Sequence, residues 1–209
     1  MFLDRAEAGR QLAQRLARFT SDPSAIVLGI PRGGVVVAAE VARELHLPLD
    51  VVVVRKIGAP GNPEYAVGAM DEDGRVVRSG VHASEEYLAR AVAENRAEIE
   101  RRVREYRGGR SELPVRGKVA LLVDDGIATG LTALAAIGYL RAHEAARVVL
   151  ATPVIARTSA EELAGDVDEL VAVSKPATFY AVGQFYDRFD QTSDDEVRKL
   201  LAVPGRTGM

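Results

Sequence analysis

The 209-residue sequence has no cysteine, so neither a disulfide nor a thiolate zinc site can form, and a reducing cytoplasm is the default location. It has no apolar run long enough to span a bilayer. It has no basic block either: net charge is −3, and lysine occurs only at Lys56, Lys118, Lys175 and Lys199. Neither a nucleic acid nor a membrane is therefore an expected partner. The opening residues 1–8 are acidic and amphipathic, unlike a signal peptide. His46, His82 and His143 stand apart, with no metal-ligand spacing between them, and all three are expected at the surface. The dinucleotide pattern G-x-G-x-x-G and the nucleophile elbow G-x-S-x-G are both missing. What remains is an ordinary globular composition, 47% apolar and 27% charged, long enough for one substantial domain.

The most informative stretch runs from Val119 to Thr132. Five apolar residues at 119–123 predict a fully buried strand. Asp124 and Asp125 follow, then Gly126, Ile127, Ala128, Thr129, Gly130, Leu131 and Thr132, with a helical pattern from about Leu131. Small residues before a helix let unpartnered backbone N–H groups approach a phosphate. Two carboxylates beside that cradle would repel a bare phosphate but accept hydrogen bonds from neighbouring sugar hydroxyls. A ribose 5-phosphate group presents both features.

A second strand–turn–helix unit precedes it. Ala25–Ile30 predicts a strand, Pro31-Arg32-Gly33-Gly34 a turn, and Val36 to Leu45 a helix. An arginine among small residues at a helix start suits a diphosphate, through backbone donors and a guanidinium fork; a plain tight turn is the other reading. Residues 49–54 predict a buried strand ending in Arg55 and Lys56, two cations placed either for ligand phosphates or as a solvated strand end.

Elsewhere the patterns predict helices at 4–18, capped by Asp4 with Glu7 completing a capping box, at 84–107 with Ser84 as N-cap, and at 131–143. Residues 57–64, with two prolines and two glycines, read as a loop, followed by a hairpin around Asp73-Gly74. Glu64 reads as an ordinary loop carboxylate, with metal or base binding as the alternative. Further strands are expected at 146–152 and 167–173, a bend at Pro153, and a short helix begun by a Thr158–Glu161 capping box. Ser193 should cap a last helix. Five of the eleven aromatics lie between Phe179 and Phe189, either as a satellite core or as rings for a planar base. The alternation of elements predicts an α/β fold, a mostly parallel sheet with helices on both faces.

The segment Asp124 to Thr132, an acidic pair and then Thr-Gly-x-Thr after an apolar strand, resembles the phosphoribosyl diphosphate (PRPP) signature of type I phosphoribosyltransferases. The Pro31–Gly34 turn is similar to the pyrophosphate loop of that family, which often holds a cis peptide; the matching bond is Pro31–Arg32. The resemblance implies a single phosphoribosyltransferase domain over 1–209, with its core at about 22–173 and a C-terminal flap or hood at 174–203. It implies a Mg²⁺-dependent pentosyltransferase of nucleotide metabolism, moving the 5-phosphoribosyl group of PRPP to a nucleobase-like acceptor. By analogy, Asp124 and Asp125 hold the ribose hydroxyls, and 126–131 with the Thr129 and Thr132 hydroxyls hold the 5-phosphate. Arg32, Gly33 and Gly34 take the pyrophosphate, helped by Arg55 and Lys56. The ion is held mainly by PRPP, with Asp124 and Asp125 as candidate protein ligands. A flexible loop within 57–75 would close over PRPP.

Ala128 stands where 6-oxopurine enzymes usually carry an Asp, which brings the pattern closer to adenine-type enzymes and leaves the acceptor open. Members of the family are often dimers, so a homodimer is open too. The competing readings are a PRPP-binding regulator on the same fold, without transferase activity, and a generic phosphosugar or nucleotide hydrolase. The latter leaves Thr-Gly-Leu-Thr unexplained.

Overall fold

A computed structural model describes residues 1–81, 83–108 and 114–202, with backbone only at 63–65. The strands are β1 (Ala25–Gly29), β2 (Leu49–Val51), β3 (Arg55–Ala59), β4 (Asn62–Met70), β5 (Val76–Arg78), β6 (Val119–Val123), β7 (Arg147–Val154) and β8 (Glu169–Ser174). The helices are α1 (Arg5–Arg15), α2 (Gly33–Leu45), α3 (Glu85–Arg107), α4 (Leu131–Ala142), α5 (Arg157–Leu163) and α6 (Asp194–Leu201). Five strands form an all-parallel sheet in the order β2-β1-β6-β7-β8. Both faces are covered, so its strands read as apolar runs rather than alternations. Ala25, Val27, Leu121, Val123 and Val149 pack with Leu12, Val37, Val41 and Val197 on the side of α1, α2 and α6. Ile26, Leu28, Ala120, Leu122 and Leu150 pack with Ala136, Ile137 and Leu140 of α4 on the other. The expected α/β architecture is borne out.

The strand order sets the position of the site. From β1 the chain runs to β2 on one side, and β6 then joins β1 on the other, with register Ala25↔Val119 to Gly29↔Val123. Connections diverge at the C-terminal ends of β1 and β6, which opens a crevice there. The Pro31–Gly34 turn and the acidic loop leave from those two ends.

Several local expectations are corrected. Residues 57–64 are not a loop: β3 and β4 pair antiparallel there, and β5 completes a separate three-stranded sheet. Gly58 absorbs a register shift and Gly61, at φ 74°, makes the turn, so the glycines serve a bulged hairpin. The strand expected at 49–54 stops at Val51 because the Val53 N–H turns away to donate to Glu72 Oε1 at 2.8 Å. Arg55 and Lys56 therefore open the antiparallel sheet. Pro153 bends nothing; it continues β7 past Val123↔Ala151, the last pairing with β6. Helix α5 begins at Arg157 with Ala156 as N-cap, so Thr158 lies inside it. Helix α1 ends at Arg15, and a 3-10 turn at Ala17–Phe19 follows. Asp4 does cap Glu7 N–H at 2.9 Å, but the Glu7 carboxylate accepts from Leu3 N–H rather than from the cap.

The long helix α3 carries one charge into the interior. Arg107 donates to Glu72 at 2.7 Å and to the Val51 carbonyl at 2.8 Å, near Asp50 at 3.6 Å, and is 3% exposed. Tyr139 of α4 donates to the same Glu72 at 3.2 Å. A charge buried this far persists only when fully paired. The pair ties α3 to the edge of the parallel sheet and to the hairpin turn between β4 and β5. His143 meets Asp73 of that turn at 3.1 Å, and His46 is the exposed left-handed C-cap of α2. His82 lies outside the described residues.

Candidate active site

Strand β6 delivers Asp124 and Asp125 to the mouth of the crevice. The loop behind them is pinned to β7: Ile127 N–H donates to Val154 O at 2.9 Å, and Ala156 N–H donates to Ile127 O at 2.9 Å. Ser159 Oγ donates to Ala128 O at 2.5 Å. Gly130 adopts φ 77°, a left-handed turn open mainly to glycine, and caps α4 with no side-chain hydrogen bond. The first N–H groups of α4 thus point toward the loop as an anion cradle.

The second loop is pressed against the first. The Pro31–Arg32 peptide is cis, at the position the resemblance indicated, and Arg32 is the N-cap of α2. A Cβ on Gly33 would lie 1.9 Å from Asp125 Oδ2, and one on Gly34 would lie 3.0 Å from Asp124 Oδ1 and 2.9 Å from Val123 O. Only glycine lets these two loops touch.

The two carboxylates face different ways. Asp124 lines a cleft of about 800 Å³, together with 126–133, Lys56, Ser79, Glu162 and Tyr180. Its pKa is raised well above the usual carboxylate range, first by burial and second by the charge of Asp125. Asp125 Oδ2 instead accepts from Arg5 Nε at 2.6 Å, while the Asp125 backbone carbonyl accepts from the Tyr186 hydroxyl at 2.5 Å. Arg5 also donates to Asp190 O at 2.7 Å and stacks over the Phe189 ring at 3.8 Å. Burial, and then the Asp125 charge, push the Tyr186 hydroxyl upward as well, so it remains a donor at neutral pH. The chain's two ends thereby clamp the second carboxylate.

The cations gather on the other side of the crevice. Arg55 and Lys56 line a neighbouring cleft of about 520 Å³ with Pro31, Asn95, Arg102 and Thr132; Lys56 and Thr132 belong to both clefts. The Arg32 guanidinium lies 3.7 Å from Asp194 of α6. Among the described residues, no group of three or more His, Asp or Glu is arranged to hold a metal. The side chain of Glu64 lies outside the described residues.

The aromatic cluster is mostly a satellite core. Phe2 and Tyr186 are buried with Ala8 and Val154, and Phe179 packs on Phe185 with centroids 4.9 Å apart. Residues 2 and 3 pair with 185–188: Phe2 N–H donates to Phe185 O and Asp187 N–H to Phe2 O, each at 2.8 Å. Val182 sits over Gly126, where a Cβ would come within 2.3 Å of its Cγ1. Tyr180 projects furthest, 87% exposed at the rim of the larger cleft. Sequence reasoning missed Arg5, Tyr186 and Arg102. The first gives no local signal, the second is one ring in a run, and the third is one charge among the many of the 84–107 helix.

A family model described as the phosphoribosyl transferase domain matches residues 3–188. Two proteins of Mycobacterium tuberculosis, MT0597 of strain CDC 1551 and Rv0571c of strain H37Rv, are 50% identical over 206 residues. Their names carry a provisional phosphoribosyl transferase assignment. They match 96% of this chain, while the chain spans 46% of their length, about half of the curated relatives it matches. The crystal structure of TT1426 from Thermus thermophilus is 43% identical, covers 96% of this chain and 97% of that one, and superposes with a TM-score of 0.79.

Proposed function

This chain belongs to the phosphoribosyl transferase family, and we propose that it moves the 5-phosphoribosyl group of PRPP onto a nitrogen of a nucleobase-like acceptor, releasing pyrophosphate. One observation carries this reading: two glycine-dependent strand-to-helix turns, one acidic and one basic, meet at the C-terminal ends of adjacent parallel strands. A sugar that bears a phosphate at one end and a diphosphate at the other needs that pairing.

In this reading the 5-phosphate sits at the start of α4, bound by backbone N–H groups of 126–131 and the hydroxyls of Thr129 and Thr132. Asp124 accepts from the ribose hydroxyls, assisted by the Asp125 oxygen that Arg5 does not occupy. Arg32 with Gly33 and Gly34 takes the diphosphate, and Lys56 stands where the two clefts join. The residues suit Mg²⁺, since the Asp124 carboxylate and the threonine hydroxyls are the hard oxygen donors this ion prefers. When bound, it would neutralise charge developing on the diphosphate. The C1–oxygen bond to diphosphate breaks as the bond to the acceptor nitrogen forms; the C–O electron pair leaves with the diphosphate, and the nitrogen's proton passes to the departing diphosphate or to solvent. Charge like that of a ribosyl cation develops at C1. Its stabilisation is electrostatic and positional, and the Asp124 carboxylate, held ionised where sugar hydroxyls donate to it, would face it. Tyr180 is placed to stack on a planar acceptor at the cleft rim. We read the described residues as one such domain, cytoplasmic in location, with those from 174 onward as its hood; residues 203–209 lie outside the described residues.

The test is pyrophosphate release from PRPP with Mg²⁺ and a panel of bases. Release stimulated by one base supports the transfer and names the acceptor. PRPP binding without release from any base favours a regulator on this fold. Folded protein that binds no PRPP contradicts both.

A further inference from the structure

One side chain near the start of the chain touches both site loops and the far end of the molecule. Arg5, in the first turn of α1, donates from Nε to Asp125 Oδ2 at 2.6 Å and from Nη1 to the Asp190 carbonyl at 2.7 Å, with its guanidinium 3.8 Å from the centre of the Phe189 ring. Its Nε also lies 2.9 Å from the point where a Cβ on Gly33 would stand, the same point that Asp125 Oδ2 approaches to 1.9 Å. The Arg5 and Asp125 side chains keep only 12% and 15% exposure. The far end is tied to the near one, since Arg188 N–H donates to Leu3 O at 3.0 Å beside the two bonds that Phe2 makes. Tyr186 of that end holds the Asp125 carbonyl at 2.5 Å. Asp125 is therefore fixed at its carboxylate and at its backbone by opposite ends of the chain.

This fixing comes from outside the loop. Adjacent carboxylates repel each other, and a side chain on a loop has free torsions along which the two can part. The bonds that pin the loop to β7 and α5 begin at Ile127 and Ala128, beyond the acidic pair. Gly33 leaves the notch into which Asp125 Oδ2 fits, and the guanidinium closes that notch. With Oδ2 taken by Arg5, Oδ1 is the oxygen left for a ligand. A sugar hydroxyl binds better to an acceptor that is ordered before the ligand arrives, because no side-chain freedom is lost on binding.

We propose that Arg5, anchored on Asp190 and Phe189, is a positioning residue of the reaction: by occupying one Asp125 oxygen it presents the other to the ribose hydroxyls. This rests on the reading under Proposed function, in which those hydroxyls fall to the acidic pair. It gives the two ends of the chain a part in substrate affinity, in addition to their part in stability.

The experiment is calorimetric titration of the full chain in Mg²⁺ with two probes. One is ribose 5-phosphate; the other is tetrahydrofurfuryl phosphate, which keeps the ring and its phosphate and lacks the hydroxyls. Arg5→Ala should weaken ribose 5-phosphate about fivefold or more, a part of what losing a hydrogen bond to a charged acceptor costs. Tetrahydrofurfuryl phosphate should stay within about twofold of wild type, which also reports an intact cradle. Arg5→Lys, which keeps a cation beside Asp125 and loses the fork, should fall between for ribose 5-phosphate, and it serves as the readout if the alanine variant does not fold. Asp125→Asn should weaken ribose 5-phosphate too, and adding Arg5→Ala to it should change the affinity by no more than about twofold, because the two side chains act as one unit. The proposal is overturned if Arg5→Ala leaves ribose 5-phosphate unchanged, or if it weakens both probes alike, as a purely structural role would. It is equally overturned if the losses from Arg5→Ala and Asp125→Asn multiply. Wild type that binds both probes equally removes the hydroxyl contact the proposal needs and leaves the phosphate cradle standing. If wild type binds neither probe, the PRPP reading itself fails and the proposal with it.

Discussion

The acidic loop at 124–132 and the basic shelf of β3 and α3 face each other across Lys56 and Thr132, yet they are built in opposite ways. The loop is contiguous: nine consecutive residues supply its carboxylates, its hydroxyls and the start of its helix. Its supports are remote, Arg5 and Tyr186 from the two ends of the chain. The shelf is dispersed, with Arg55 and Arg102 arriving from β3 and α3. Its nearest support is local, Glu98 one turn from Arg102 on the same helix, with Asp194 of α6 behind it. Both regions hold like charges close together against their own stability. The loop answers with a raised proton affinity at Asp124, and the shelf with a carboxylate shared among arginines. A ligand with hydroxyls at one end and anionic charge at the other would relieve both.

The largest expected effect lies behind the shelf. Arg107→Ala leaves Glu72 buried without its cation, and removing one member of a buried pair costs about 3–5 kcal/mol. Urea unfolding should show that loss, and α3 should be the first element to lose amide protection. The next effect lies behind the loop. Arg5 and Asp125 retain 12% and 15% side-chain exposure, so water screens the broken pair in part, and Arg5→Ala should cost less, about 2 kcal/mol. Arg5→Lys should recover only part of this, since an ammonium cannot also stack on Phe189 and reach Asp190 as the fork does.

The smallest effect has the opposite sign. The Asp124 pKa is raised in the folded protein, so the folded state binds that proton more tightly than the unfolded chain does. Below the unfolded value of 3.8 the group is protonated in both states and carries no penalty. As pH rises through the folded pKa, stability is lost, and the loss persists at neutrality. Asp124→Asn should therefore raise the melting temperature at pH 7 by a few degrees, with the advantage shrinking toward about pH 3. Melting curves at both pH values check the sign.

The same contrast explains what could be read from the sequence. The loop was legible because strand, acidic pair, glycines and threonines are adjacent, each type tied to one physical need. The parallel sheet was legible because strands buried on both faces read as runs such as Val119–Val123. The β3–β4 hairpin was not, since Pro60, Gly61 and Pro63 match an open loop as well as a bulged turn, and only the pairing of Arg55 with Met70 decides between them. The end of β2 depended on Glu72, nineteen residues from the Val53 N–H it accepts from. Arg5 and Asp125 lie 120 residues apart, and no local pattern links them. The Phe179–Phe189 rings announced a cluster, but only packing separated the buried Tyr186 from the exposed Tyr180.

The most direct measurement is a calorimetric titration of PRPP with Mg²⁺ into wild type and Asp124→Asn. The account predicts saturable one-to-one binding to wild type. It predicts affinity about 100-fold weaker in the variant, the loss of about two charge-assisted hydrogen bonds, in a protein that melts no lower than wild type. Equal affinity in both proteins, or no binding to folded wild type, would contradict it.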